Sequence, residues 1–240
     1  MKDNLSGRIK GYLRLMVLSA QLVAGRRFWI VILLPLLWPL LQVFFLLVGW
    51  RKSGFEPMNA QALMGLPLTV IAIGFGVRVI ANEIDRRTLE IAYTVPGGCH
   101  RIWLAKIASS FCMLLLSQAL LAIVITAFLT EFPFTSFYGA LQAAVFYLIA
   151  GMAFSAFFRS EITGIMASIS LLVLNGLVSG FGGNQMRISP FFNPLAIREG
   201  DTTVLFAWTL QNRILFVLLI VAIILLTFSR VERREKMLGD

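Results

Sequence analysis

Charged side chains are scarce in this chain of 240 residues, of which only 14% are Asp, Glu, Lys or Arg. A soluble globular domain carries about 25% charged residues, so the composition excludes an ordinary water-soluble protein. Histidine and cysteine are scarcer still, and the whole set is His100, Cys99 and Cys112. One histidine and two cysteines do not have the ligand spacing of a zinc site. We therefore expect no metal site. We also expect no disulfide, because the topology predicted below places Cys99 on the reducing cytoplasmic side and Cys112 inside the third span.

Motifs for catalysis and for nucleotide binding are also missing. The sequence contains no Gly-x-x-x-x-Gly-Lys-Ser/Thr loop, which is the loop that cradles nucleotide phosphates in P-loop proteins. No serine, threonine or carboxylate has the partner base that would activate it as a nucleophile. We expect no catalytic residue and no cofactor in this chain, so any driven work would take its energy from another protein.

The sequence is rich in long apolar runs. Hydrophobic residues make up 58% of the chain, its mean hydropathy is +0.84, and it contains 20 phenylalanines. A helix that crosses a bilayer needs roughly 20 predominantly apolar residues. Six such runs lie at about residues 28–50, 63–81, 107–129, 137–158, 162–181 and 211–229. The sequence therefore predicts an all-α integral membrane protein, with a single transmembrane domain over residues 1–240.

Two details of these runs predict local shape. The fourth and fifth runs are separated only by Arg159, Ser160 and Glu161. Because the two runs together hold about 45 residues, more than any single crossing needs, we predict a tight turn between antiparallel helices. The first run contains Pro35 and Pro39, which predict a kink or a neighbouring helix that satisfies the freed backbone groups.

The distribution of lysine and arginine predicts the orientation of the six spans. Short cytoplasmic loops carry the excess of positive charge in membrane proteins. If both termini are cytoplasmic, the inner set has fifteen members: Lys2, Arg8, Lys10, Arg14, Arg26, Arg27, Arg86, Arg87, Arg101, Lys106, Arg159, Arg230, Arg233, Arg234 and Lys236. The outer set has five members: Arg51, Lys52, Arg187, Arg198 and Arg213. We therefore expect a multi-pass protein of the plasma or inner membrane, with both termini in the cytoplasm.

The first 27 residues combine cations with a partial helical period of apolar side chains. Such a helix lies in the membrane interface, with its apolar face at the acyl boundary and its cations at the headgroups. The candidate membrane-interface residues are Arg8, Lys10, Arg14, Arg26 and Arg27. A disordered basic tail is the alternative. The net charge of +9 is spread over separate loops, which indicates attraction to anionic lipid and argues against a nucleic-acid partner.

A dense group of charges interrupts the apolar sequence at residues 82–98, NEIDRRTLEIAYTVPGG. The topology places this segment in the cytoplasm, between the second and third spans. Thr88 or Asp85 can cap a short helix, which Pro96 and the two glycines that follow would end. Apolar residues between the charges give the helix a face suited to docking on a protein. The alternative is a solvated loop whose charges only enforce the topology.

This segment resembles one in the permease subunits of the ABC transporter type-2 family, the ABCG-like exporters. In that family the second and third membrane helices are joined by the pattern E-x-x-x-G-T-L-E-x-L-x-x-x-P, followed by a basic residue and by a lysine that opens the next helix. The matching residues here are Glu83, Thr88, Leu89, Glu90, Pro96, Arg101 and Lys106. Two positions depart from the pattern, because Arg87 replaces glycine and Ala92 replaces a bulkier apolar residue.

The resemblance implies that the segment is a coupling helix, which docks in a groove of a separate ATPase subunit. The ATPase-coupling residues would be Glu83, Asp85, Arg86, Arg87, Thr88, Leu89, Glu90 and Pro96. The partner ATPase would bind ATP and Mg²⁺, and this chain would bind neither. The chain would also pair with a second permease subunit, as a homodimer or a heterodimer, and would export a substrate that the sequence does not identify.

In that family the contact between the two permease subunits runs along the first, second and fifth spans. Small residues let membrane helices approach closely, and they occur here in IAIGFGV of the second span and in GIMASIS of the fifth. The possible dimer contacts are Gly74, Gly76, Gly164, Ala167 and Ser168.

The outer segment at residues 182–211 is too polar to cross a membrane, yet its middle is too apolar for a free loop. In the resembling family this region forms short re-entrant helices near the outer end of the substrate path. The alternative is a surface loop packed on the helix ends, because Pro190, Asn193 and Pro194 are ordinary turn formers.

Polar residues within the spans are few, and we expect most of them to join helices by hydrogen bonds. They are Gln42, Gln118, Gln142 and Asn175. Arg78 lies near the inner end of the second span, where we expect it to reach the headgroups or to pair with Glu83 or Asp85.

Two other classes of function stay open from the sequence. An integral membrane enzyme that acts on lipid would show clustered His, Asp or Glu near one membrane face, and the sequence has no such cluster. A membrane scaffold without transport would bind partners but would stimulate no ATPase.

Overall fold

The computed structural model describes residues 2–50, 54–85, 99–181, 187–197 and 201–231. The regular structure in these ranges is helical, without a β-strand, which confirms the predicted all-α class. In chain order the helices are α1 (Lys2–Ala24), α2 (Phe28–Leu33), α3 (Leu37–Leu47), α4 (Ala60–Asp85), α5 (Cys99–Phe128), α6 (Phe134–Phe158), α7 (Glu161–Phe181) and α8 (Thr202–Val231). Short 3₁₀ helices lie at Leu34–Leu36, Pro57–Asn59 and Pro194–Ala196.

Six stretches within the described ranges are long and apolar enough to cross a membrane. They are Phe28–Leu47, Pro57–Asp85, Cys99–Phe128, Phe134–Phe158, Glu161–Ser179 and Thr202–Val231, and each overlaps one predicted span. Helices α4, α5 and α8 extend beyond the predicted limits, because polar residues at their ends continue the helix past the apolar run. The 30 residues of α8 measure about 45 Å, against about 30 Å for the hydrocarbon core.

Two predicted breaks occur where the sequence places them. Helix α6 ends at Phe158, Arg159 adopts a left-handed conformation with φ 52°, and α7 begins at Glu161. This geometry confirms the tight turn between the fourth and fifth spans. In the first span, the 3₁₀ turn that contains Pro35 separates α2 from α3. Proline lacks the N–H that a continuous helix would use there.

Helices α4 and α6 form the centre of the bundle. Of their most apolar stretches 72% and 67% of the residues are buried, against 11–33% in the other spans. Gly76 of α4 lies directly against the backbone of Leu148, and a Cβ atom on Gly151 of α6 would lie 3.2 Å from the Ile73 carbonyl oxygen. Close approach of small residues is how helices associate where lipid provides no hydrophobic drive. The surrounding spans present apolar side chains outward, as a lipid environment requires.

The helix ends gather into two groups. One group, which we call the inner end because the charge distribution predicts it to be cytoplasmic, contains the C-terminal ends of α1, α4, α6 and α8 and the N-terminal ends of α5 and α7. The opposite group, the outer end, contains the N-terminal ends of α4, α6 and α8 together with residues 187–197.

Candidate functional site

A buried ion pair joins the end of α4 to the start of α5 at the inner end. Lys106 of α5 places its Nζ 2.7 Å from Glu83 Oε1 and donates to the Val79 carbonyl oxygen of α4 at 2.9 Å. Trp103 donates its Nε1 hydrogen to the other carboxylate oxygen of Glu83 at 2.7 Å. The side chains of Lys106 and Glu83 are 2% and 12% exposed. We call Glu83, Trp103 and Lys106, with the Val79 carbonyl, the inner clamp.

Helical spacing explains why these groups meet. Val79 and Glu83 are four residues apart on α4, and Trp103 and Lys106 are three apart on α5, so each pair lies on one face of its helix. Two charges in a buried site are tolerated when they pair and when further hydrogen bonds satisfy the remaining atoms. The inner clamp meets this requirement, because both carboxylate oxygens of Glu83 accept a bond from α5.

An aromatic contact attaches α8 to the inner clamp. The ring of Phe228, near the end of α8, lies 6.0 Å from the ring of Trp103 and 5.4 Å from that of His100. His100 and Trp103 are 6.1 Å apart, and Val231 at the end of α8 is fully buried. Edge-on and tilted aromatic pairs of this kind contribute about 0.5–1.5 kcal/mol beyond the burial of their area. Three helix ends are thus packed together at this site.

The residues of the inner clamp lie at and beyond the ends of the predicted coupling segment, since Glu83 stands at its start on α4 and Trp103 and Lys106 follow it on α5. Asp85 is the exposed last residue of α4, and Cys99 is the buried first residue of α5. The predicted coupling residues Arg86, Arg87, Thr88, Leu89, Glu90 and Pro96 lie outside the described residues. Glu83 is bonded inside the chain to Trp103 and Lys106, and its predicted part in coupling to an ATPase stays a prediction.

Arg78 has a different partner from either residue that the sequence favoured. Its Nε lies 2.8 Å from Glu161 Oε1 at the start of α7, and its Nη1 lies 3.5 Å from the Val23 carbonyl oxygen. Of the two alternatives for Arg78, the pairing with Glu83 or Asp85 is replaced by this pairing with Glu161, and its reach to the headgroups stays a prediction. The contact instead ties α4 to α7 and to the end of α1.

Helix α1 carries the predicted membrane-interface residues. Its second half packs one side on the bundle and leaves Leu15, Leu18 and Leu22 40–52% exposed, at spacings of three and four residues. The cations lie along this helix and in the turn after it: Arg8 and Lys10 in the first half of α1, and Arg14, Arg26 and Arg27 as exposed residues. An exposed apolar stripe on a basic helix fits the membrane interface, and that location stays a prediction.

At the outer end, carboxamide side chains hold the irregular segment 187–197. Gln61 of α4 donates to the Phe192 carbonyl oxygen at 3.1 Å. Asn212 of α8 donates to the carbonyl oxygens of Arg187 and Ser189 at 2.7 and 3.0 Å. Backbone that is not helical is tolerated at membrane depth only where protein or water satisfies its polar groups. The two amides therefore provide hydrogen-bond partners for three carbonyl groups of the segment.

Further bonds extend this outer amide network, which consists of Gln61, Gln142, Asn175, Asn193 and Asn212. Gln142 donates to Asn212 Oδ1 at 3.2 Å, Ser189 donates to Asn175 Oδ1 at 3.2 Å, and Asn193 donates to the Met58 carbonyl oxygen at 2.7 Å. The bond of Gln142 to α8 and that of Gln118 to the Phe137 carbonyl of α6 join helices as expected, whereas Asn175 bonds the irregular segment and not a helix. Of the predicted re-entrant helices, the described residues contain the single turn Pro194–Ala196.

A cavity of about 400 Å³ opens beside the outer amide network, between α4, α7 and the segment 187–197. Asn59, Asn175 and Asn193 contribute carboxamides to its wall, and most of the remaining lining is apolar, including Leu66 and Phe191. The described lining contains no charged side chain. The volume falls in the range of roughly 300–1,000 Å³ that small-molecule sites occupy. The cavity therefore suits an uncharged group that forms hydrogen bonds.

Of the residues that were predicted to contact a second subunit, some pack within this chain and others are half-buried. Gly76 lies against Leu148, and a Cβ atom on Gly164 would lie 2.8–3.0 Å from Ser155 atoms. Ser168 is fully buried and donates its Oγ hydrogen to the Gly164 carbonyl at 2.8 Å. These three residues pack helices within the chain, which corrects the expectation that they face a partner. Gly74 and Ala167 are half-buried, and their contact with a second subunit stays a prediction.

Sequence reasoning missed the pairing inside the inner clamp and two members of the outer amide network. Glu83 and Lys106 were both recognised as parts of one pattern, but nothing in the pattern states that they bond. Gln61 and Asn212 stand at the margins of the apolar runs, where polar residues are ordinarily read as span ends. Among the described residues no group of three or more His, Cys, Asp or Glu side chains is placed to hold a metal ion.

Comparisons of the chain with protein-family models, with curated proteins and with solved structures find no match.

Proposed function

We propose that this chain is the permease subunit of an ATP-driven exporter of the ABC type, which forms a substrate path with a second permease subunit. The observation that carries the proposal is the segment between α4 and α5. Its residues resemble the coupling-helix pattern of ABCG-like exporters, and the two apolar helices that it connects are bonded to each other at its base. Helix ends that are bonded in this way would move together when the segment between them is displaced, whereas two independent helix ends would not.

The remaining architecture supports the same proposal. Four apolar spans surround a buried pair of spans, α4 and α6, and α1 carries an exposed apolar stripe with cations. In the proposed mechanism a separate ATPase binds and hydrolyses ATP, and its change of shape displaces the coupling segment. Helix α4 moves with that segment, and Gln61 at its outer end bonds the carbonyl of Phe192. Movement of α4 therefore alters the support of the segment that walls the outer cavity.

Purification of the full chain in mild detergent, followed by mass spectrometry, tests the proposal directly. We expect an ATPase chain at about equal stoichiometry, because a half-transporter pairs each permease with one motor subunit. A lipid-acting enzyme would instead turn over phospholipid without any ATPase. A scaffold would bring partners whose ATP hydrolysis is the same with and without this chain, and either of these results would contradict the proposal.

Charge reversal within the coupling segment tests the docking itself. In Glu90→Arg an unpaired cation replaces a carboxylate, which costs about 2–5 kcal/mol where the lost pair was buried and about 0–1 kcal/mol where it was exposed. We expect Glu90→Arg, and separately Leu89→Asp, to reduce ATPase copurification while membrane insertion is unchanged. Glu56→Arg is the matched control, because Glu56 is exposed at the outer end. Normal assembly and normal stimulation in both coupling variants would show that the segment only enforces topology.

A further inference from the structure

We propose that Glu83, Trp103 and Lys106 are positioning residues, which convert displacement of the segment between Asp85 and Cys99 into joint movement of α4, α5 and α8. This inference rests on the proposed function, because it describes how a force applied at that segment would reach the spans. It assigns the three side chains a role within the chain and not at the surface of a motor protein.

The first step of the argument is the connection between α4 and α5. Lys106 bonds both Glu83 and the Val79 carbonyl, so it holds α4 at two points about one helical turn apart. Trp103 occupies the second carboxylate oxygen of Glu83. Separation of the two helix ends would leave the ammonium of Lys106 without this counter-charge in a site where the lysine is 2% exposed. Because an uncompensated buried charge is strongly unfavourable, the two helix ends move together.

The second step is the connection to α8. Phe228 packs on the rings of Trp103 and His100 at the inner clamp. The same helix carries Asn212, which bonds the carbonyls of Arg187 and Ser189 at the outer end. One continuous helix thus contacts the inner clamp at one end and the outer segment near the other. Displacement of the clamp is transmitted along this helix to the wall of the outer cavity.

The third step concerns why the clamp uses charges. Replacement of a buried ion pair by apolar residues of similar volume is often neutral or stabilising, so stability alone does not require Glu83 and Lys106 to be charged. An ion pair with directed hydrogen bonds sets the angle and register between two helices, which apolar contacts leave adjustable. A variant that keeps the packing but removes the directed bonds therefore separates a positioning role from a structural one.

The double variant Glu83→Leu/Lys106→Met is such a test, and it avoids the unpaired charge that either single change would leave. It is measured in vesicles that contain the full chain with its copurified ATPase. We expect the amount of copurified ATPase and its basal ATP hydrolysis to stay within about twofold of wild type. The increase in hydrolysis that the permease causes should fall about tenfold, which is within the usual range of coupling between two sites. Lys106→Arg keeps the charge and should keep most of the stimulation. Glu131→Gln, an exposed position at the outer end, is the matched control and should behave as wild type.

A second measurement does not depend on the ATPase. Spin labels at Asp85→Cys and Arg101→Cys, both exposed positions, are placed in a background with Cys99→Ser and Cys112→Ser. We expect a narrow distance distribution in the parent and a broad one in the double variant. An unchanged distribution, or stimulation equal to wild type in the double variant, would overturn the positioning role. If no ATPase accompanies the wild-type chain, the proposed function fails, whereas a broadened distribution would still support the clamp.

Discussion

At the inner end of the bundle the helices are joined by opposite charges, whereas at the outer end neutral carboxamides hold an irregular segment. The inner clamp concentrates its bonds on one carboxylate, Glu83, which is 12% exposed and accepts from both Trp103 and Lys106. The outer amide network spreads its bonds over α4, α6, α7 and α8. The inner end is therefore built from few, mutually dependent contacts, and the outer end from many separate ones.

The difference indicates how each end responds to displacement. Loss of one partner in a buried ion pair leaves the other charge uncompensated, so the inner clamp is either intact or broken. A neutral hydrogen bond contributes about 0.5–1.5 kcal/mol, so the outer segment can be released bond by bond. Under the proposed function, an end that does not yield suits the reception of force, and an end that yields in steps suits the opening of a path.

The largest expected effect comes from breaking the inner clamp on one side. Glu83→Gln leaves the buried ammonium of Lys106 without its counter-charge, which should lower the free energy of unfolding by about 3–5 kcal/mol. The measurement is denaturant unfolding of the detergent-solubilised chain. In Glu83→Leu/Lys106→Met the loss should be much smaller than the sum of the two single losses. Additive losses would show that the two side chains act independently, which would contradict the conclusion that the contacts of the inner clamp depend on each other.

A smaller effect is expected from the centre of the outer amide network. Asn212→Ala removes the donor to two carbonyl oxygens, those of Arg187 and Ser189. Buried acceptors left without a partner cost about 1–3 kcal/mol, and we expect that cost to fall on the segment 187–197 and not on the whole bundle. Hydrogen exchange of the backbone amides in the segment 187–197 measures it. Loss of global stability as large as that of Glu83→Gln would contradict the stepwise release of this end.

Arg78 tests whether every ion pair at the inner end has the same importance. Its partner is Glu161 at 2.8 Å, but the two side chains are 49% and 26% exposed. Exposed pairs contribute about 0–1 kcal/mol, so Arg78→Gln should change the free energy of unfolding within that range. Added salt should remove most of the difference between the variant and wild type, because exposed charges are screened. A loss of stability as large as that of Glu83→Gln would contradict the conclusion that the buried pair contributes more than the exposed pair.

The smallest expected effect is a pH dependence at the start of α8. Asp201 accepts a hydrogen bond from the Thr203 backbone N–H at 3.1 Å, which lowers the pKa of that carboxyl below its ordinary value. Because the folded pKa lies below the unfolded one, the stabilisation is complete above the unfolded pKa and is lost as the pH falls through the folded pKa. The protection of the amides in the first turn of α8 against hydrogen exchange, relative to their intrinsic exchange rate at each pH, should therefore fall in acid for wild type. The neutral variant Asp201→Asn should show no such fall in protection.

The elements of this fold follow largely from local sequence. The six apolar runs, the turn at Arg159 and the break at Pro35 depend on the length of a hydrophobic stretch or on the geometry of one residue. Each predicts its structure without knowledge of any neighbour. Span limits were less accurate, since α4 continues to Asp85 and α5 begins at Cys99, because polar residues are compatible with a helix that leaves the membrane.

The candidate site could be predicted only in part. The pattern around Glu83 and Lys106 directed attention to the right segment, yet the expected partner of Arg78 and the expected surface role of Gly76 were wrong. Both depend on how a helix is rotated about its axis, and in a membrane helix hydrophobicity specifies rotation weakly because lipid and protein interior are both apolar. Nothing local distinguishes a glycine that meets Leu148 from one that meets a second subunit.

By itself the sequence determined that the chain is helical and that six segments are long and apolar enough to cross a membrane. It also determined where charge and a proline-glycine stop interrupt them, since length, hydropathy and turn chemistry are properties of neighbouring residues. Only the tertiary structure decided that Glu83 bonds Lys106, and that Gln61 bonds a carbonyl 131 residues away in the chain. Such contacts depend on the register and rotation of packed helices, which are set by the close fit of α4 and α6 and by no single stretch of residues.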